Sequence, residues 1–227
     1  MNLLILGKGK TGSLVAEVGR ERGHNVRVLD SKDNPEGGGI TSEVVKNIDV
    51  VIDFTTPHAV LENISACARL GVNMVIGTTG WYSEIPYVRK LVDENKTGLV
   101  YGSNFSVGVN VFFEIARAAG SAAAHGYTIK IVERHHQHKK DAPSGTAILI
   151  QQVIKEASGT EPEITSIREG ETVGTHVILL DSPNDTMMLV HDSKSRRGFA
   201  EGAVKAAEWI KGKKGFYGFR EIFKEVK

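Results

Sequence analysis

The sequence has one cysteine, almost no net charge and no long apolar run, and each shortage excludes a class of protein. Cys67 alone cannot form an intramolecular disulfide, and it suits a reducing compartment. A net charge of +1 argues against nucleic acid or an anionic membrane surface as the partner. No stretch approaches the roughly 20 apolar residues of a membrane span, and the apolar opening lacks a basic flank. We expect a cytoplasmic globular protein without membrane or nucleic-acid partners.

The first 105 residues alternate short apolar runs with helical patterns. Strands are predicted at residues 3–6, 26–29, 48–54, 74–76 and 99–101. Thr56 is predicted to cap a helix whose first residue is Pro57, a favoured position for proline. Such βαβ alternation indicates a parallel sheet with right-handed crossovers, as in a Rossmann-type α/β domain.

The pattern changes after Phe105. A long helix, a strand at 128–133 and a helix at 145–158 are followed by three strand-like runs at 164–168, 176–181 and 187–191. Strands that arrive in succession indicate an antiparallel or mixed sheet. The sequence therefore predicts a dinucleotide-binding domain of residues 1–105 and a second, smaller α+β substrate domain of residues 106–195.

A glycine motif, Gly7-x-Gly9-x-x-Gly12, follows the first apolar run and opens a helix. Small residues let the backbone approach a pyrophosphate, and the helix N-terminus supplies N–H donors. Asp30 ends the second strand, where a carboxylate meets the ribose hydroxyls of adenosine. The alternative is a glycine turn of some other α/β protein, but the motif together with Asp30 favours a dinucleotide site.

The segment of residues 133–147 is unusually rich in ionisable side chains and reads E-R-H-H-Q-H-K-K-D-A-P-S-G-T-A. Imidazoles and ammonium groups stand directly before a helix start, where N–H groups and the helix dipole favour a carboxylate or phosphate. Such a pocket would bind a small polyanion and protonate it. A solvated basic loop, a zinc site at His135, His136 and His138, and a nucleic-acid contact are the alternatives. No cysteine lies near and no fourth ligand is evident, so we expect no metal.

The same segment resembles the signature of the 4-hydroxy-tetrahydrodipicolinate reductase (dihydrodipicolinate reductase) family. Further blocks resemble that family in the same order along nearly the whole chain. They are Asp53-Phe54-Thr55-Thr56-Pro57, Gly77-Thr78-Thr79-Gly80, residues 102–110, Arg168-x-Gly170, Gly174-x-His176 and Ser195-Arg196. The resemblance implies reduction of the dehydrated form of 4-hydroxy-tetrahydrodipicolinate by NADH or NADPH in the diaminopimelate–lysine pathway.

The resemblance also implies site residues and an assembly. His135 would be the general acid, and Lys139 would supply positive charge or a proton. His136, Gly145 and Thr146 would bind the two substrate carboxylates, whereas the role of Arg196 stays open. The residues implied for the cofactor are Gly7, Lys8, Gly9, Lys10, Thr11, Gly12, Asp30, Gly77, Thr78, Thr79, Gly102, Ser103, Asn104 and Phe105. Helices within residues 196–227 would complete the first domain, and the family suggests a homotetramer formed through the second sheet.

Two departures from the family pattern bear on the cofactor. The glycine loop is one residue shorter than the family's usual G-x-x-G-x-x-G, which affects the individual phosphate contacts. Ser31 stands where an arginine often contacts a 2′-phosphate, with Lys32 next, so NADH is slightly favoured over NADPH. Two other functions remain alternatives: a dehydrogenase acting on another small acid, and a nucleotide-binding regulator that lost catalysis.

Overall fold

The computed structural model describes residues 1–226 and divides the chain into two compact units. The first comprises residues 1–107 and the C-terminal segment from Arg197, and the second comprises Gly108–Arg196. In chain order the helices and strands are β1 (Asn2–Leu6), α1 (Lys10–Glu21), β2 (Asn25–Leu29), α2 (Ser42–Val45), β3 (Val50–Asp53), α3 (Val60–Arg69), β4 (Asn73–Ile76), α4 (Ile85–Glu94), β5 (Gly98–Tyr101), α5 (Val107–Gly120), β6 (Thr128–His135), α6 (Gly145–Ser158), β7 (Glu163–Arg168), β8 (Thr175–Asp181), β9 (Thr186–Asp192), α7 (Arg197–Ile210), β10 (Gly215–Gly218) and α8 (Phe219–Ile222).

The first unit is built on a six-stranded parallel sheet in the order β10-β5-β4-β3-β1-β2. Successive side chains of β1 point to opposite faces, so both faces of this central strand are apolar. Leu3 and Ile5 pack in one core with residues of α1 and α7, while Leu4 and Leu6 pack in the other with residues of α3 and α4. Helices on both faces of a parallel sheet confirm the predicted Rossmann-type α/β architecture.

The second unit contains a four-stranded mixed sheet in the order β7-β6-β8-β9. β6 runs parallel to β7 and antiparallel to β8, which in turn pairs antiparallel with β9. Helices α5 and α6 cover one face through an apolar core that includes Phe112, Ile131, Val153 and Ile178. The predicted mixed sheet of a smaller α+β unit is therefore confirmed.

Several element boundaries differ from the sequence-based expectation, and two of them bear on the site. α3 begins at Val60 rather than at Pro57, because the Thr56 carbonyl first closes a turn by accepting bonds from the Ala59 and Val60 N–H groups at 3.1 Å. β6 extends beyond residue 133 to His135, whose backbone pairs with Arg168 of β7. The short elements α2 and β10 were not expected. Within the described residues, no helix combines the length and apolar character needed to cross a membrane.

Candidate active site

The glycine loop of the first unit is shaped by two close backbone approaches. Gly7 has φ of +96°, and a Cβ there would overlap the carbonyl of Phe54. A Cβ at Gly12 would overlap the carbonyl oxygen of Gly7. Gly9, the N-cap of α1, has open space where a Cβ would stand. The absence of side chains at Gly7 and Gly12 therefore lets the loop pack against the Phe54 carbonyl and against its own backbone, while Gly9 leaves room for a ligand.

Two neighbouring cavities, of about 270 and 450 Å³, lie at the carboxyl ends of the parallel strands. They share Gly9, Phe54 and Thr55 in their linings. The first is lined by Gly9, Lys10, Thr11, Gly12, Phe54, Thr55, Pro57, Gly77, Thr78 and Thr79. The second is lined by Gly7, Lys8, Gly9, Leu29, Asp30, Ser31, Asn34, Phe54, Thr55, Thr56 and Ala59. The structure thus brings together the glycine loop, Asp30 and residues 77–79, and the first N–H groups of α1 lie in this lining.

Asp30 stands directly after β2 and organises the turn that follows. Its Oδ1 accepts hydrogen bonds from the backbone N–H groups of Lys32, at 2.8 Å, and Asp33, at 3.2 Å. These two bonds hold the pKa of the Asp30 carboxyl below its ordinary value, and the charges of Lys32 and Lys8 add to that effect. An ionised carboxylate therefore lines the cavity at the position where ribose hydroxyls are bound in dinucleotide folds.

A buried carboxylate, Asp53, supports the cavity floor from the end of β3. Its Oδ1 accepts bonds from the Thr78 hydroxyl at 2.6 Å and from the Thr55 hydroxyl at 2.8 Å. Its Oδ2 accepts from Asn63 Nδ2 at 2.7 Å, and Asn63 accepts in turn from Asn34 at 2.8 Å. Burial raises the pKa of Asp53, and the bonds from Thr78, Thr55 and Asn63 oppose the rise. Asp53 lies at the end of β3, and its contacts are those of an internal support rather than of a cofactor ligand.

Residues 102–105, expected to contact the cofactor, follow β5. Among the described residues, the linings of the two cavities do not include Gly102, Ser103, Asn104 or Phe105. The Phe105 side chain is 2% exposed, with its ring centroid 6.3 Å from that of Phe54 and 4.7 Å from that of Phe219. Phe105 is therefore a core side chain that supports Phe54.

The predicted general acid of the second unit, His135, is the last residue of β6 and is 7% exposed. Its Nδ1 contacts Oε2 of Glu133, a fully buried carboxylate two residues earlier on the same sheet face. Oε1 of Glu133 accepts a bond from Arg168 Nη2 at 2.7 Å. Burial lowers the pKa of His135, the Glu133 carboxylate raises it, and the Lys139 and Arg168 cations lower it further. The sequence did not assign a role to Glu133. The available signal was an acid two residues before the histidine on a strand, a spacing that places both side chains on one face of the sheet.

The loop after His135 is fixed by backbone bonds and by one ion pair. His136 N–H donates to Thr172 O at 2.8 Å, and Lys139 N–H donates to His136 O at 3.1 Å. Lys139 Nζ lies 2.7 and 2.8 Å from the two carboxylate oxygens of Asp141. The Asp141 side chain thus holds the Lys139 ammonium, whereas the Asp141 carbonyl accepts from Arg168 at 2.6 Å.

The N-terminus of α6 follows this loop. Ser144 is its N-cap, with Oγ accepting from Ala147 N–H at 3.2 Å. The expected substrate residues Gly145 and Thr146 are the first two residues of the helix, where N–H groups have no intrahelical acceptor. The Ser144 N–H donates to Glu133 Oε1 at 3.3 Å, so the helix start and His135 are attached to one carboxylate.

Two further histidines lie on the same face of the second sheet. His176 is opposite Glu133 in β8, and His191 is opposite His176 in β9. Burial, followed by the neighbouring His135 and His191, lowers the pKa of His176 to about 4. Within residues 1–226, no group of three or more His, Cys, Asp or Glu side chains is arranged to hold a metal ion.

The chain is similar to known proteins in both sequence and structure. Family sequence models described as the N-terminus and the C-terminus of dihydrodipicolinate reductase match residues 1–105 and 108–223. A 4-hydroxy-tetrahydrodipicolinate reductase of Christiangramia forsetii is 36% identical over 240 residues, covering 100% of this chain and 99% of its relative. The enzyme of the same name from Methanoregula boonei is 38% identical and covers 78% of this chain and 75% of its own.

Solved structures agree with this result. A dipicolinate-bound dihydrodipicolinate reductase from Paenisporosarcina sp. TG-14 superposes with a TM-score of 0.80 at 26% identity, over 98% of this chain and 99% of that one. A probable dehydrogenase from Thermotoga maritima has a TM-score of 0.62 at 10% identity, over 97% and 92% of the two chains, and so shares only the fold. This chain therefore belongs to the dihydrodipicolinate reductase family. Its members are NAD(P)H-dependent oxidoreductases that reduce the dehydrated form of 4-hydroxy-tetrahydrodipicolinate in lysine and diaminopimelate biosynthesis.

Proposed function

We propose that His135 is the general acid in the reduction of the dehydrated form of 4-hydroxy-tetrahydrodipicolinate to tetrahydrodipicolinate. The observation that supports this role is the buried pair of His135 and Glu133 beside the start of α6. With Nδ1 bonded to a carboxylate, the Nε2 edge of the ring remains for the substrate. Lys139 supplies positive charge to the nitrogen that becomes electron-rich, and its bond to Asp141 keeps the ammonium close to the backbone of the same loop.

The substrate is a dicarboxylate, and the second unit offers two kinds of anion donor. The N–H groups of Gly145 and Thr146 at the capped start of α6 suit one carboxylate. His136, on the adjoining loop, suits the other. The related Paenisporosarcina enzyme carries dipicolinate, a dicarboxylate of the same class, which supports this assignment. Residues 106–195 would thus form the substrate domain and also the assembly domain.

The cofactor residues proposed for the first unit fit a dinucleotide. The open space at Gly9 and the first N–H groups of α1 suit a pyrophosphate, while Asp30 suits a ribose. When bound, the nicotinamide supplies the hydride. Residues 1–105 and the C-terminal helices would form this dinucleotide-binding domain, in which residues 102–105 act through the backbone or by supporting Phe54.

We expect NADH to be used at least as well as NADPH, because the ionised Asp30 repels a 2′-phosphate. Asp30→Asn keeps an acceptor for the turn and removes the charge. The ratio of kcat/KM for NADPH to that for NADH should therefore rise severalfold. Asp33→Asn, an exposed acid three residues later, is the matched control. If the ratio of the two kcat/KM values were unchanged in Asp30→Asn, Asp30 would not discriminate between the ribose of NADH and the 2′-phosphate of NADPH.

The reaction is tested by NADH and NADPH oxidation at 340 nm, with substrate made in place from pyruvate and aspartate semialdehyde by a separate synthase. Oxidation that depends on the synthase is the expected result. Protein that binds NADH by fluorescence yet oxidises neither cofactor would contradict the proposal. That outcome would favour a nucleotide sensor, and oxidation with another acid alone would favour a different dehydrogenase.

We further propose a homotetramer assembled through the face of the second sheet that α5 and α6 do not cover. Strand register places Thr165, Val132, Val177 and Val190 in one row across this face, and Met188 lies on the same face opposite Leu179. Met188 is 64% exposed and its neighbour Val190 is 55% exposed, an apolar surface that a second copy would bury. Apolar residues on the opposite face of these strands, such as Ile131, Ile178 and Leu180, are already buried against the helices.

Met188→Glu should break this assembly, because the substitution would bury an unpaired carboxylate at the contact. The expected result by light scattering at micromolar concentration is a tetrameric mass for the wild type and a smaller mass for the variant. Tyr87→Glu, at an exposed aromatic of α4 in the other unit, should leave the mass unchanged. A monomeric wild type would refute the assembly.

A further inference from the structure

Glu133 is a fully buried ionisable group at the centre of the hydrogen bonds around His135. It is the third-last residue of β6, with 0% exposure. Three donors from three parts of the second unit converge on it: the His135 ring, the Arg168 guanidinium and the Ser144 N–H. A carboxylate so placed is retained only if its charge is compensated.

The charge of Glu133 is well supported. Burial raises the pKa of its carboxyl, but bonds from Arg168, Ser166 and His135 outweigh that effect and hold the pKa below its ordinary value. An ionised carboxylate only accepts hydrogen bonds, so the His135 Nδ1 must carry a proton and donate it. The opposite edge of the ring is then the one that exchanges protons. A Cβ built on Gly174 would lie 2.8 Å from Nε2, so the absence of a side chain there lets the ring take this orientation.

Other ionisable groups around His135 do not replace Glu133. Those that face its ring are Arg168 on β7, His176 on β8 and Lys139 on the following loop. Burial is the main cause that lowers the pKa of His135, and the Lys139 and Arg168 cations lower it further. Glu133 is the group that raises it. Burial lowers the pKa of His176 to about 4, so its ring is neutral near pH 7 and lacks the acidic proton of an imidazolium.

We propose that Glu133 is a positioning residue that fixes the tautomer and direction of the His135 ring, stabilises its protonated form and anchors the start of α6. This inference rests on the proposed role of His135 as the acid. One buried anion then couples the proton donor to the helix N-terminus that binds a substrate carboxylate. Correct placement of the substrate and of the acid depends on the same side chain.

The first test needs no substitution. A neutral imidazole in water carries its proton mainly on Nε2, whereas the contact with Glu133 requires Nδ1–H. Nitrogen-15 NMR of histidine-labelled wild-type protein, with the His135→Asn spectrum used for assignment, should show His135 as the Nδ1–H tautomer. Observation of the Nε2–H tautomer would overturn the proposal.

The second test uses Glu133→Gln, which keeps the shape and removes the charge. An acid must hold its proton, so kcat/KM falls as pH rises through the pKa of His135. Loss of the anion lowers that pKa, and the falling limb should move to lower pH by about one unit, the size of a close charge effect. At pH values above the pKa of His135, kcat/KM of the variant should then be about tenfold lower than that of the wild type at the same pH. Loss of packing alone would lower the rate without moving the limb.

Glu169→Gln is the matched control, because Glu169 is an exposed acid next to Arg168 that pairs with Arg134. It should keep both the limb and the NMR titration of the wild type. In Glu133→Gln, an unmoved NMR titration of His135 would overturn the coupling. A moved NMR titration with an unmoved rate limb would support the coupling and instead refute His135 as the acid of the reaction.

Discussion

Replacing His135 by asparagine should lower kcat by about a hundred- to ten-thousand-fold, the usual contribution of a positioned general acid. Asparagine is polar and close in size to the inner part of the imidazole, so β6 and its pairing with Arg168 should persist. NADH binding should be unchanged, because the proposed cofactor residues lie in the other unit. Stopped-flow or steady-state oxidation in the synthase-coupled assay measures the rate, and NADH fluorescence measures binding.

His138→Asn is the control for this variant. His138 is an exposed histidine three residues further on, whereas His135 is 7% exposed and bonded to Glu133. The same chemical change at His138 should leave kcat within about twofold, as for surface substitutions away from a site. Retention of more than a tenth of kcat in His135→Asn would assign the proton to another donor, with Lys139 as the next candidate.

Replacing Gly12 by alanine should weaken both the fold and NADH binding. Alanine is the better helix residue by about 1 kcal/mol, but here its methyl would overlap the carbonyl oxygen of Gly7. That oxygen belongs to the backbone and cannot rotate away, so we expect a cost near the upper end of the 1–3 kcal/mol typical of overpacking. The first turn of α1 would shift, and the Kd for NADH should rise about tenfold or more. Thermal denaturation and NADH fluorescence measure the two effects.

Gly9→Ala separates the two effects, because nothing stands where its Cβ would be placed. Its melting temperature should match the wild type, since Gly9 has φ of −72°, which alanine adopts readily. The methyl would nevertheless enter the space shared by both cavities, so the Kd for NADH should rise. If Gly12→Ala kept the wild-type melting temperature and Kd, the close approach of Gly7 to Gly12 would not shape the cofactor site.

The sequence predicted the two-part architecture well, and the reason is local. A short apolar run that ends at a glycine, such as Leu3–Leu6 before Gly7, predicts a strand and the turn after it, whichever strands pair with it. The helix Gly145–Ser158 was predicted from Gly145 to about Ser158, and the structure agrees, since Ser144 caps that helix and Gly159 ends it. The turn after β3 was harder, because Pro57 fits a first helical position as well as the turn it occupies.

The sequence by itself determined the class of fold, the family, and which short segments hold the chemistry, because glycine spacing, caps and the order of basic and small residues act over a few positions. Only the tertiary structure decided that Glu133 is bonded to His135 and that Asp141 is bonded to Lys139. It also decided that Asp53 faces inward and that Phe105 is a core residue. These outcomes depend on strand register and on packing, which bring together residues that are tens of positions apart in the sequence. A local pattern carries no information about either.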